Sequence, residues 1–164
     1  MVTYQAIRHE HSIDVSFAAF AQAFEALLGR MDVQALVDLP RLDAEAARAK
    51  LAAVVGPLDF ALFQKLDHGG ILTALTAKPT RAMTYVFGNA LIAVEMTKHD
   101  PRVGLYVPLR LYVQEVDARS IVVAYDAPSA TMAQFRSPAI DEVARELDRK
   151  VERLLEATVQ RARA

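Results

Sequence analysis

The strongest chemical signal in the chain is Asp67-His68-Gly69-Gly70, an imidazole at the end of a predicted strand, beside two glycines whose bare backbone lets a ligand come close. Such a histidine could ligate a metal or haem iron, or move protons with Asp67. The plainer reading is a turn residue bonded to the backbone. His9 and His11, two apart, share one face of a strand, and with Asp14 or Glu10 they make either a weak chelate or a solvated strand end. His99-Asp100-Pro101 fits a helix C-terminus, where an imidazole meets the negative end of the dipole. Gly88-Asn89 can form a left-handed turn or present backbone amides to a ligand. Tyr4, Tyr85, Tyr106, Tyr112 and Tyr125 offer phenolic donors, although tyrosines in such apolar runs mostly pack in or beside a sheet.

Sharper motifs are missing from the sequence. It has no Gly-x-Gly-x-x-Gly, no phosphate loop ending Gly-Lys-Ser/Thr, no His-Glu-x-x-His and no Gly-x-Ser-x-Gly, which weakens nucleotide, zincin and serine-hydrolase readings. Cysteine is absent, so disulfides, thiolate metal ligation and a cysteine nucleophile are excluded, and a reducing compartment fits best. Nineteen basic residues against twenty acidic ones leave no excess to neutralise phosphates, so neither nucleic acid nor an anionic membrane surface is an expected partner. Arg8, His9, Glu10 and His11 stand where a signal peptide would carry its apolar stretch, and no run reaches the ~20 apolar residues of a membrane span. The chain therefore reads as cytoplasmic.

These side chains must be positioned by a packed core, which 53% hydrophobic residues over 164 positions can supply. Val2 to Arg8 alternates and predicts a first strand, with Ser12 or Asp14 capping the helix after it. Phe17, Phe20, Phe24, Leu27 and Leu28 form one helical stripe, with Gly29 placed as a left-handed C-cap. Asp43 caps a second helix that Gly56-Pro57 ends. Phe60–Leu66 and Arg81–Phe87 read as strands, with a helical turn or two over Ile71–Ala77 between them and a short helix at Leu91–Lys98. Val107–Val116 and Ser120–Tyr125 suit an antiparallel hairpin, and Ile140, Val143, Leu147, Val151, Leu154 and Leu155 stripe a long final helix. Strands that do not alternate regularly with helices point to an α+β domain, residues 1–164, with a mostly antiparallel sheet and helices on one face.

One combination of short segments is specific. Phe63-Gln64-Lys65-Leu66-Asp67-His68, Pro79-Thr80, Val86-Phe87-Gly88-Asn89, Pro101, Gly104-Leu105, Val107-Pro108-Leu109 and Tyr125-Asp126-Ala127-Pro128, in this order, resemble the domain of unknown function 302 family over about residues 60–156. Ala90 stands where that pattern usually has proline, and Met31 to Gly56 reads as a helical insertion. The resemblance implies a sheet curved around helices, similar to TATA-binding-protein-like folds, and a homodimer. Some relatives are haem proteins, which raises His68 to the leading metal ligand and makes His99 the second candidate.

The functional expectation is a small-ligand-binding domain, with b-type haem as the best-specified ligand. His68, Gly69, Gly70, Phe87, Gly88 and Asn89 form the candidate cofactor-binding set. The alternatives are an enzyme using His68 and Asp67 for proton transfer on a small molecule, and a cofactor-free homodimeric regulatory module.

Overall fold

Ser137 and Pro138 start a 26-residue helix because proline's fixed φ suits a first helical turn, where its missing N–H costs nothing. In the computed structural model, which describes residues 1–164 apart from the side chain at position 35, this helix (α7, Pro138–Arg163) buries Ile140, Ala144, Leu147, Val151, Leu154 and Leu155 along one face. Glu146 meets Arg149 and Arg153 on the wet side. The first helix, α1 (Phe17–Leu27), buries Phe20 and Phe24 and lies beside α7.

Facing these helices is a six-stranded sheet in the order β1-β6-β5-β4-β3-β2. Its strands are β1 (Arg8–Ile13), β2 (Gly29–Arg30), β3 (Ala61–Asp67), β4 (Ala82–Gly88), β5 (Leu109–Asp117) and β6 (Ser120–Asp126). All neighbours are antiparallel except β2 and β3. Period-two alternation sends Tyr85, Phe87, Leu111, Val113, Ile121 and Val123 into the helix side, where Phe24 meets Tyr85 and Phe87 edge-on at 5.0 and 5.6 Å. Each such side chain contributes roughly 1.5–3 kcal/mol of burial. The fold is thus the expected α+β type with a mostly antiparallel sheet.

The N-terminal boundaries differ from expectation. The first strand is Arg8–Ile13, the segment read as a polar strand end, while residues 2–7 carry no strand. An edge strand tolerates the polar residues, and alternation still turns His9, His11 and Ile13 toward Tyr125, Val123 and Ile121. The cap of α1 is accordingly Ser16, whose Oγ accepts from Ala19 N at 3.2 Å, rather than Ser12 or Asp14. Gly29 is not a left-handed C-cap either. The chain leaves α1 in extended form at Leu28, and Gly29 is needed because a Cβ there would stand 1.9 Å from the Val54 carbonyl oxygen.

That close approach ties off the segment from Met31 to Gly56, which holds α2 (Val33–Val37) and α3 (Ala44–Ala52, capped by Asp43). Gly29 N and Gly56 N both donate to the Phe60 carbonyl, at 2.9 and 2.8 Å. No described residue of α3 is buried, and Leu51, Val54 and Val55 are only half-buried. Among the described residues no helix is long and apolar enough to cross a membrane.

Candidate functional site

Two strand-to-helix junctions carry the predicted site residues. At the first, β3 passes into α4 (His68–Thr76), and the Asp67 carboxylate caps it by accepting from Gly70 N at 2.7 Å. His68 is the first helical residue and is exposed. Gly69 is buried because the helix start presses on the chain leading into β4: a Cβ would lie 2.4 Å from Ala82 N and 2.6 Å from the Thr80 carbonyl oxygen. Thr73 Oγ1 accepts from Thr80 N at 3.0 Å and completes the attachment. Gly69 is the only buried residue of α4, and Ile71 and Leu75 are 59% and 82% exposed.

At the second junction β4 ends on Gly88 and passes into α5 (Ala90–Thr97). Asn89 caps it, its Oδ1 accepting from Leu91 N at 2.9 Å and Ile92 N at 3.4 Å, while its Nδ2 donates to the Asp59 carbonyl at 2.9 Å. The expected left-handed turn is absent: Asn89 is extended, and no described glycine has positive φ. Phe87 points into the core against Phe24 and Phe60.

The register pairs Asp67 with Met83 and Ala61 with Gly88, so the junctions lie at opposite ends of the β3–β4 pair, roughly 20 Å apart at the usual rise per residue. His68, Gly69 and Gly70 therefore do not share a site with Phe87, Gly88 and Asn89. His99 follows the far end of α5, is exposed, and donates its backbone N–H to the Met96 carbonyl at 3.0 Å.

A cavity of about 210 Å³ opens at the second junction, bounded by Phe63, Gly88, Asn89, Ala93, Pro108 and Leu147. Phe63 is the extra residue where the β3–β4 register shifts, between Leu62 and Gln64. Ala90 and Ala93 keep the α5 side shallow. Among the described residues no charged or histidine side chain lines the space, and Asn89 and Thr97 are its polar side chains. Asn89 is already committed at both ends of its amide, so the walls offer an apolar body few hydrogen bonds and no acid or base. The signals in the sequence are the alanines at small-residue positions of α5 and the Val107-Pro108 step, which reads as a strand start and as part of the family pattern but not as a cavity wall.

The residues present do not fit a haem in this cavity, which holds no imidazole and is smaller than the roughly 300–1,000 Å³ of ordinary cofactor pockets. At His68, iron would lie on the open surface, and the Asp67 carboxylate beside it is engaged as a helix cap. Among the described residues no group of three or more histidines and acids is arranged to hold a metal ion. Elsewhere on the helix side Tyr85 donates to Glu25 Oε1 at 3.2 Å, and Lys65 donates to both Glu25 oxygens at 3.0 Å. Burial and the Glu25 charge push the Tyr85 phenol well above its ordinary range, so it serves as a fixed donor within the core.

The family model for the domain of unknown function DUF302 matches residues 35–158, which takes in most of the Met31 to Gly56 segment. The crystal structure of an uncharacterized conserved DUF302 protein from Bacillus stearothermophilus superposes with a TM-score of 0.64, covering 92% of this chain and 96% of the other at 12% identity, a likeness of fold. No curated protein matches.

Proposed function

This chain belongs to the DUF302 family, and from that premise we propose that it is a small-ligand-binding domain whose ligand occupies the cavity at the start of α5. The observation that carries the reading is a wall built almost wholly of apolar side chains, at a site fixed by a two-ended asparagine cap. Pockets of this kind bind by apolar contact, with orientation set by a few polar groups. The volume suits a neutral compound little larger than a substituted benzene, since a 150 Å³ apolar cavity already accepts benzene. Work in a reducing, cytoplasmic compartment agrees with a chain free of cysteine.

Toluene is a suitable probe, followed by methyl NMR. Shifts confined to the methyls that line the cavity, those of Ala93, Val94, Met96, Val107, Leu109 and Leu147 foremost, and lost in Ala93→Leu, are the expected result. Methyls that do not move at saturating toluene, or that move equally in the filled variant, would end this reading.

A further inference from the structure

A second site lies on the opposite flank, where the edge strand β1 faces the C-terminal half of α7. His9 stacks on Tyr125 with ring centroids 5.0 Å apart and planes 17° from parallel, and His11 lies 6.1 Å from the same ring at 22°. Tyr125 is 7% exposed, yet its hydroxyl takes part in none of the hydrogen bonds among the described residues. Tyrosines packed this deeply mostly bond their hydroxyl to protein, but this one is not sealed off and opens to solvent. Here the side chain instead lines a groove of about 470 Å³, within the range of small-molecule sites.

The opposing wall is acidic. Glu152 and Glu156, one turn apart on α7, line the groove with Asp14 from the link after β1, while Arg163 and the His11 imidazole are the basic side chains on its described lining. Leu155 and Val159 give it an apolar floor. Burial, then Glu152 and Asp148, push the Tyr125 phenol up to about 12, so at neutral pH it keeps its proton and its oxygen remains available as an acceptor. Because no described set of three or more ligands is arranged for a metal ion, the carboxylate excess suits an organic cation whose N–H groups reach both the phenol oxygen and the acids.

We infer that the groove between β1 and α7 binds a small organic cation of the ammonium, amidinium or guanidinium class, its charge held by Glu152 and Glu156 and its body laid against Tyr125 and the floor. The stacked imidazoles cover the Tyr125 ring and hold it in place, so the cation meets its phenolic edge and hydroxyl.

The probe is p-aminobenzamidine, followed by its fluorescence on the full-length protein, with p-aminobenzoate as the anionic counterpart. Saturable binding of the cation with at least tenfold preference over the anion is expected. Glu152→Gln combined with Glu156→Gln should weaken it tenfold or more, and Tyr125→Phe about threefold, with circular dichroism unchanged in both. Toluene should not compete, because the α5 cavity is a separate site. Equal binding of the anion, undiminished binding in the double variant, no saturable binding at all, or displacement by Zn²⁺ that depends on His9 and His11 would each overturn the inference.

Discussion

At the β3–α4 junction a carboxylate caps a helix whose apolar side chains stand in water, whereas at the β4–α5 junction an amide caps a helix that closes a cavity. The local chemistry is nearly the same: a strand end, an Asx cap, and glycine close by. What differs is the neighbourhood. The cavity beside α5 is completed by Pro108 and by Leu147 of α7, while α4 rests on the backbone from Thr80 to Ala82 through Gly69 and Thr73. A cap fixes where a helix begins, and a site arises only where tertiary partners enclose the space beyond it.

The glycines should show the largest contrast. Gly69→Ala drives a Cβ into backbone that cannot give way, so about 2 kcal/mol of unfolding free energy should be lost. At Gly88 a Cβ would meet Pro108 at an ordinary 3.4 Å, and Gly88→Ala should cost about 0.5 kcal/mol or less. Urea denaturation of the two variants decides, and equal losses would erase the distinction.

The caps come next. Asn89→Ala removes two accepted bonds and the link to Asp59, for an expected loss of about 1.5 kcal/mol, whereas Asp67→Ala gives up one bond on an exposed helix, about 0.5–1 kcal/mol. Amide exchange should speed up in α4 alone for the Asp67 variant, and in both α5 and the loop around Asp59 for the Asn89 variant. Exchange confined to α5 in the latter would show that the cross-link is idle.

The smallest effect is expected at His68. His68→Ala should change stability by less than about 0.5 kcal/mol, as exposed positions do. Added haemin should give the same spectrum with parent and variant. A Soret band formed by the parent and lost in the variant would restore the haem reading.

The sequence disclosed elements better than enclosures. The Phe17–Leu28 and Ile140–Leu155 stripes and the β5–β6 hairpin were legible because burial imposes a period on side chains that local spacing records. The first strand was placed too early, at Val2 to Arg8, because β1 is an edge, where Arg8, Glu10 and Ser12 face away from the helices and the polar run reads as a strand end. Gly29 was misread because its need is steric and distant, set by Val54 some twenty-five residues on, and a local turn rule cannot register that. Asp67 and Asn89 were visible as strand ends, but nothing local told which would adjoin a cavity: Phe63, Pro108 and Leu147 come from three separate parts of the chain. Tyr125 and His11 were each noted, and only the packing of β1 against β6 and α7 joined them to the acids of one helix.

The crossing of Gly29 and Gly56 has a consequence for how this fold can vary. Because the chain leaves and re-enters the sheet at nearly one point, the Met31 to Gly56 excursion is a closed loop whose ends are fixed whatever lies between them. Its closure entropy grows only logarithmically with length, so doubling it would cost about 0.6 kcal/mol and shortening it would refund a similar amount. Residues 32–53 are therefore a place where related chains can lengthen or shrink at little cost, provided that both glycines and the buried Met31 stay.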